Sequence, residues 1–244
     1  MSERITGRKN PLLQQVRKLL SSKKYRQETG LFVSDGTKLL QEALRWWDGV
    51  ETVILSDGVE AQVPASVRLV YVPEDVMESI SPMQTPQGAL FICRLPKKTE
   101  FIPKPGMLLL DGIQDPGNLG TILRTADALQ VPVALLEGCA DPYSHKVVRS
   151  SMGAVFRTPV VQTSWETVRA SGIPVAVTAL SDKAVDIRTA KLTELAVVIG
   201  SEGQGVRQEI MDYAQKQLII PMDSRCESLN AAIAAAIVMW QMKL

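Results

Sequence analysis

The sequence is poor in the side chains on which metal-binding, secreted and membrane proteins depend. It holds one histidine and three cysteines, and the spacing of Cys93, Cys139 and Cys226 is too wide for a set of metal ligands. We therefore expect no metal and a reduced, cytoplasmic setting. The chain opens on polar and charged residues rather than a secretory signal, and it has no apolar run long enough to cross a bilayer. The most apolar stretch, 231–239, is shorter than a span and predicts a buried helix, so we expect no membrane association.

The chain also has almost no net charge, but its charges are unevenly distributed. The formal charge is +1, whereas the first 27 residues carry eight basic side chains and one acidic side chain. Such an asymmetry favours contact with a polyanion, although a solvated helix face gives the same pattern. The side chains that we assign to an RNA backbone are Lys9, Arg17, Lys23, Lys24 and Arg26.

The first part of the chain alternates short helical and strand patterns. Residues 10–20 place leucines and a valine at helical spacing, with Asn10 as the N-cap and Pro11 in the first turn. The next residues, SSKKYRQ, are interpreted as a basic loop. Further strands at 31–33, 52–55, 68–72 and 88–93, with helices at 37–47 and 75–80, complete a small α/β domain over 1–96. Residues 97–106 are rich in proline and lysine, so they are interpreted as a linker.

The remainder, 107–244, predicts an α/β domain with a parallel sheet. Its first strand, MLLLD at 107–111, is almost continuously apolar, as in a central parallel strand. Strand and helix patterns then alternate to a last helix at about 228–242. Ligands of such sheets bind beyond the carboxyl ends of the strands. We therefore expect a ligand to contact the loops at 112–120, 179–184, 200–206 and 222–230.

The first segment with functional potential is DGIQDPGNLGTILRTAD at 111–127. Gly117 and Gly120 allow the backbone to approach a ligand closely, and Asn118 lies where the loop becomes a helix. Arg124 lies near apolar helix positions, so we expect it to need a partner. A capped helix with a structural salt bridge explains the same residues without any ligand.

The second segment is IGSEGQG at 199–205, between a strand and a helix. It is not a phosphate-binding loop, because no Lys-Ser or Lys-Thr follows, and its glycine spacing is not that of a dinucleotide fingerprint. The carboxylate of Glu202 suits a cationic or hydroxyl-bearing ligand better than a phosphate. A glycine-rich turn with an exposed acid is the plainer explanation.

The third segment runs from Ile220 through Met222 to Ser228-Leu-Asn230, at the head of an alanine-rich helix. Ser228 is a candidate N-cap, and that role alone would explain it. Asn230 would then lie in the first turn, where it could project toward the other loops.

Taken together, the three segments resemble the SpoU/TrmH family of RNA ribose 2′-O-methyltransferases, within the SPOUT superfamily. The family pattern D-x-x-x-D-P-G-N-x-G-x-x-x-R-T-A, then G-x-E-G-x-G, then I-P-M with S-L-N occurs in order at 111–126, 200–205 and 220–230. The stretch VVRSSMGAVFRTPV at 147–160 also looks like the family. The N-terminal KKYRQETGLFVSDGTKLLQEAL and PMQTPQGALF resemble the substrate-binding domain often fused to these enzymes, except that Asp35 stands where glutamate is common.

The resemblance implies an α/β fold with a deep trefoil knot, a homodimer and S-adenosylmethionine as cofactor. Contacts to the cofactor, largely through backbone, would come from Gly200, Ile220, Met222 and Leu229. The polar set around the target ribose would be Asn118, Arg124, Glu202, Ser228 and Asn230.

The same resemblance leaves the proton acceptor open. Arg124 is the family's general base, but a guanidinium stays protonated in proteins, so stabilising an alkoxide or holding a phosphate is the alternative. Glu202 is a second candidate, and His145, outside the three segments, is more simply a surface or core residue. The N-terminal domain favours ribosomal RNA as substrate; transfer RNA, or a non-catalytic RNA-binding or ribosome-assembly role, are the alternatives.

Overall fold

The computed structural model describes residues 3–97, 101–158, 160–223 and 225–244. The chain forms two compact units, Met1–Lys98 with Tyr143–Arg157, and Thr99–Pro142 with Thr158–Leu244. The predicted division at 96 and 107 stays a prediction, and residues 98–100 of the predicted linker lie outside the described residues. A segment from the middle of the chain thus packs with the N-terminal residues, which the strand-helix alternation did not indicate.

Within the described residues, the first unit holds a five-stranded sheet in the order β1-β4-β3-β5-β2. Strands β1, β3 and β4 are parallel, whereas β5 is antiparallel to both β3 and β2. The elements are β1 (Glu3–Arg4), α1 (Pro11–Ser21), α2 (Lys23–Thr29), β2 (Leu31–Asp35), α3 (Thr37–Trp46), β3 (Val50–Ser56), β4 (Arg68–Val72), α4 (Glu74–Ile80) and β5 (Ala89–Arg94), with α6 (His145–Ser150) and α7 (Ala154–Arg157) from the later segment.

Capping side chains explain where the first helices begin and end. The Asn10 side chain accepts a hydrogen bond from the Leu12 amide at 2.9 Å, with Pro11 in the first turn, as the sequence predicts. The basic loop predicted after α1 is wrong, because those residues form α2. Ser22 caps α2 by accepting from the Tyr25 amide at 3.1 Å, and Gly30 ends it with a left-handed φ of 68°.

The second unit is a parallel sheet with helices, as predicted. Within the described residues, seven strands lie in the order β10-β12-β9-β11-β6-β7-β8, and every recorded pairing is parallel. The elements are β6 (Leu108–Asp111), α5 (Pro116–Leu129), β7 (Val133–Leu135), β8 (Val161–Gln162), α8 (Trp165–Ala170), β9 (Val175–Thr178), β10 (Val185–Asp186), β11 (Ala196–Gly200), α9 (Gln208–Tyr213), β12 (Lys216–Ile219) and α10 (Ala231–Gln241). The trefoil knot implied by the resemblance stays a prediction.

The sheet order sets the place for a ligand. Strand β6 is followed by β7 and β8 on one side, whereas β9 and β11 lie on the other side. This change of direction falls between β6 and β11, whose last residues Asp111 and Gly200 are paired. Crevices form at such a point beyond the carboxyl ends of the strands. None of the helices in the described residues is long and apolar enough to cross a membrane.

Candidate functional site

A tight turn follows β11 at the carboxyl edge of the second sheet. The amide of Ser201 donates to the Gly205 carbonyl at 3.2 Å, and the Gly205 amide donates to the Ser201 carbonyl at 2.9 Å. Gly205 has a left-handed φ of 68°, which favours glycine. The backbone of Gly205 and Val206 lies against Gly200 so closely that a Cβ there would overlap main-chain atoms. Glycine at position 200 is therefore required for the turn to fold back on the strand.

A cavity of about 400 Å³ opens beside this turn, entirely within the second unit. All four residues assigned to the cofactor, Gly200, Ile220, Met222 and Leu229, line it. Ser228 and Glu202 line it as well. The glycine turn, the end of β12 and the approach to α10 thus form the walls of one cavity.

A cluster of polar side chains joins all three predicted segments. The Asn118 Nδ2 donates to Glu202 Oε1 at 2.7 Å, and the Asn230 Nδ2 donates to the same oxygen at 2.8 Å. The Asn230 Nδ2 also lies 3.0 Å from Asn118 Oδ1, and the Ala231 amide donates to Glu202 Oε1 at 3.2 Å. One carboxylate oxygen therefore holds the start of α5, the glycine turn and the start of α10 together.

The start of α10 corrects one expectation from the sequence. Asn230, not Ser228, is the N-cap, because its Oδ1 accepts from the amides of Ala232 and Ile233 at 2.9 and 3.3 Å. Ser228 lies in the preceding loop, where its exposed side chain borders the cavity. Asn230 therefore takes the capping role expected of Ser228, and it also joins the polar cluster toward which the sequence suggested it could project.

Arg124 is separate from this cluster. It lies on α5 six residues after Asn118, which places it on a different side of the helix. The expectation that it needs a partner is wrong, because its side chain is exposed. Among the described residues the Arg124 side chain makes no hydrogen bond or ion pair, so the guanidinium is open to a polyanion.

Sequence reasoning missed an ion-pair network behind the glycine turn. Arg207 binds the buried Asp111 and also reaches Glu137, at Nε–Oδ1 and Nη2–Oε2 distances of 2.7 and 2.8 Å. Burial alone would raise the pKa of Glu137 and lower that of Arg207. Hydrogen bonding and charge pairing outweigh burial, so the pKa of the acid is lowered and that of the base is raised. Asp111 opens the first of the three segments, but no spacing rule links it to a residue 96 positions later.

The basic residues assigned to RNA lie in the first unit and differ in their exposure. Lys9, Lys23 and Lys24 are exposed. Arg17 is half-buried, with Nη1 donating to the Arg8 carbonyl at 3.0 Å and Nη2 to Ser79 Oγ at 3.2 Å. Arg26 is buried and donates to the Leu19 carbonyl, so its assignment to RNA is withdrawn.

His145 lies at the start of α6 in the first unit, and not in the unit that holds the cavity. Burial and the neighbouring Lys146, Arg26 and Arg149 lower its pKa. In the described part of the chain, no group of three or more His, Cys, Asp or Glu side chains is arranged to hold a metal ion.

Comparison with known proteins gives two matches to family models. The model described as the SpoU rRNA Methylase family matches residues 105–240. The model described as the MRM3-like substrate binding domain matches residues 10–90.

Individual relatives match nearly the whole chain. The 23S rRNA (guanosine(2553)-2′-O)-methyltransferase RlmP of Bacillus subtilis is 32% identical over 93% of this chain and 94% of its own length. The human mitochondrial rRNA methyltransferase 3 is 29% identical over 95% of this chain and 71% of its own. A crystal structure of an AdoMet-bound rRNA methyltransferase from Sinorhizobium meliloti superposes with a TM-score of 0.88 at 32% identity, covering 99% of this chain and 97% of that one.

The family match covers more than half of the chain, and it includes all three segments that form the cavity and the polar cluster. The chain therefore belongs to the SpoU rRNA methylase family and is an S-adenosylmethionine-dependent RNA methyltransferase.

Proposed function

We propose that this protein methylates a ribose 2′-hydroxyl of ribosomal RNA. The observation that carries the proposal is the convergence of the three segments. The four residues assigned to the cofactor line one cavity, and Glu202 at its wall is hydrogen-bonded to Asn118 and Asn230.

The cavity fits S-adenosylmethionine in size and in character. Its volume of about 400 Å³ lies in the range of sites for ligands of this size. Ile199, Leu218 and Leu229 offer apolar surface to a flat adenine ring, and the glycine turn exposes backbone groups for polar contacts. When bound, the cofactor supplies an electrophilic methyl group. Gly200, Ile220, Met222 and Leu229 would hold it.

Ribosomal RNA is supported as the substrate by the relatives and by the first unit. The names of the Bacillus and human relatives specify ribosomal RNA, and the matched substrate-binding domain covers most of the first unit. Lys9, Lys23 and Lys24 are exposed there and can neutralise phosphates. We assign RNA binding to residues 1–96, methyl transfer to 107–244 and a linking role to 97–106, in a cytoplasmic protein.

We assign different roles in the reaction to Arg124, Glu202 and Ser228. The ribose hydroxyl must lose its proton as its oxygen takes the methyl group from the sulfonium of the cofactor, which would leave as a neutral thioether. A guanidinium stays protonated in proteins, so we assign the proton to solvent water rather than to Arg124. We assign to its exposed guanidinium the binding of a phosphate or the stabilisation of the developing alkoxide. Glu202 Oε1 already accepts three hydrogen bonds, so we assign Glu202 to holding the segments in place rather than to proton transfer. Ser228, at the cavity border, can orient the ribose.

We also propose that the protein is a homodimer. Helix α10 is apolar around its whole circumference, yet Ile233 and Trp240 are 52% and 59% exposed. These two residues are seven positions apart, so they form one apolar stripe along the helix, and Leu244, 83% exposed, follows three residues after its end. A second copy of the chain would cover this stripe. A light-scattering mass equal to one chain would contradict the dimer.

The test of the function is methyl transfer to defined RNA. Full-length protein with labelled S-adenosylmethionine should methylate ribosomal RNA transcripts at a ribose, and transfer RNA transcripts should be poor substrates. We expect Arg124→Ala to lower kcat about a hundredfold or more, as for loss of a group that stabilises a developing oxyanion. Its Kd for S-adenosylmethionine should change by less than about twofold, because Arg124 does not line the cavity.

The matched control is Arg169→Ala, since Arg169 is an exposed arginine on α8 of the same unit. Equal loss of kcat in both variants, or near-normal turnover by Arg124→Ala, would contradict the role of Arg124. Methylation of transfer RNA alone would overturn the assigned substrate. Cofactor binding without any methylation would favour the non-catalytic alternative.

A further inference from the structure

Just beyond the glycine turn, one residue in the wall of the cofactor cavity does not face the cavity. Gly205, Val206 and Gln208 line the cavity, whereas Arg207, between them, does not. The Arg207 side chain instead makes three ion pairs, with Asp111, Glu137 and Glu209, at 2.7, 2.8 and 3.2 Å. The guanidinium therefore holds residues 205–208 by contacts outside the cavity, while the neighbours of Arg207 line the cavity itself.

The anchor of this arrangement is a buried carboxylate at the end of the central strand. Asp111 is 2% exposed, and its Cα partner in the sheet is Gly200. Its two oxygens accept from different parts of the same residue, Oδ1 from Arg207 Nε at 2.7 Å and Oδ2 from the Arg207 amide at 2.9 Å. Both the backbone and the side chain of Arg207 are thus hydrogen-bonded to the last residue of β6.

A second carboxylate extends the connection to another element. Glu137 Oε2 accepts from Arg207 Nη2 at 2.8 Å, while its Oε1 accepts from the Trp165 amide at the start of α8 at 3.2 Å. The lowered pKa of Glu137 and the raised pKa of Arg207 agree with a formed pair. The residue that shapes the wall is therefore fixed from three sides by groups outside the cavity.

We propose that Arg207 is a positioning residue, which sets affinity for S-adenosylmethionine by holding residues 205–208 in the conformation that closes the cavity. This inference rests on the proposal that the cavity takes this cofactor. A guanidinium is suited to the task because its planar group directs donors at fixed angles to separate carboxylates, whereas the ammonium of lysine is a compact point charge.

The test compares Arg207→Lys and Glu137→Gln with the wild-type protein. We expect Arg207→Lys to raise the Kd for S-adenosylmethionine, measured by calorimetry on the full chain, about tenfold, as for loss of one charge-assisted hydrogen bond. The KM for the cofactor should rise in parallel, while kcat at saturating cofactor stays within about twofold. Hydrogen exchange of residues 201–208 should become faster, because Asp111, which accepts from the amide of residue 207, loses the side-chain partner that fixes its carboxylate. Glu137→Gln should give a smaller increase in Kd, since Asp111 still holds Arg207.

The matched control is Arg188→Lys, since Arg188 pairs with Asp186 in the same unit but does not line the cavity. It should leave the Kd unchanged, and an equal rise there would overturn the inference. A folded Arg207→Lys that binds the cofactor like the wild type would do the same. If Arg207→Lys does not fold, Glu137→Gln decides, and an unchanged Kd in that variant overturns the inference. Equal binding by all variants leaves the proposed function intact, whereas no binding by the wild-type protein would overturn both proposals.

Discussion

Replacement of Gly200 by alanine tests the architecture of the cofactor cavity with a single methyl group. The Cβ would overlap the carbonyl group of Gly205 and the nitrogen of Val206, which are main-chain atoms and cannot rotate away. Relief requires the turn to move off the end of β11. That movement separates Ser201 from Gly205, which now exchange hydrogen bonds of 3.2 and 2.9 Å.

The expected cost follows from these two effects. Forcing an added carbon into a tightly packed site costs about 1–3 kcal/mol, and a backbone neighbour places it at the upper end. Moving the turn would relieve the overlap but break both hydrogen bonds, each worth about 0.5–1.5 kcal/mol. By either route we expect a cost of about 3 kcal/mol. If this cost lowers the free energy of unfolding, the melting temperature falls by roughly 6–12 °C for a domain of this size. If the turn instead moves only when the cofactor is absent, the cost lowers the binding free energy, and the Kd for S-adenosylmethionine rises about a hundredfold.

Gly203→Ala is the matched control in the same turn. An alanine Cβ at position 203 meets no atom within 4 Å, and Gly203 does not have a positive φ. Thermal unfolding and calorimetric titration of both variants therefore separate the overlap from a general effect of changing this loop. Wild-type stability together with wild-type affinity in Gly200→Ala would refute the reasoning, and so would equal damage from Gly203→Ala.

Two further predictions concern the first unit. Burial raises the pKa of Asp35, partly offset by Arg149, so its contribution to stability is present at low pH and is lost as the pH rises through the folded-state pKa. Asp35→Asn should stabilise the protein by about 1 kcal/mol at pH 7 and not at pH 3, in urea unfolding, and a less stable variant at pH 7 would contradict this. Replacing Lys9, Lys23 and Lys24 by glutamine should weaken RNA binding and reduce the slope of log K against log salt by roughly 0.7–0.9 per lost phosphate contact. The exposed Lys191 of the second unit serves as the control, and an unchanged slope in the triple variant would remove these lysines from the RNA surface.

The sequence was most informative where backbone geometry alone sets the residue type. The tight turn after Gly200 and the helix cap at Asn10 could be predicted, because each depends on local sterics or on a local hydrogen bond. The family resemblance carried by the order of motifs also selected Gly200, Ile220, Met222 and Leu229, which the structure places among the residues that line one cavity. Such features depend on neighbours within a few residues or on a pattern long enough to be specific.

Residues whose partners are distant in sequence could not be predicted. Arg26 was grouped with the basic residues by composition, but the fold buries it against the Leu19 carbonyl. Arg207 carries no signal of its own, since its role depends on Asp111 and Glu137. Asn230 and Ser228 are equally good capping residues by type, and only the folded structure shows that Asn230 accepts from the amides of Ala232 and Ile233.

The segment 143–157 has a consequence for how the protein is made. It completes the first unit, where Phe156 stacks on Phe32 at 6.2 Å and also contacts Trp47 and Phe91. During synthesis, residues 1–97 leave the ribosome well before residues 143–157 do. The nascent N-terminal part therefore carries an open aromatic face until the strands β6 and β7 have also been synthesised. A fragment ending at 97 would keep that face uncovered permanently, so dissection of this enzyme into separately expressed domains should retain 143–157 with the N-terminal residues.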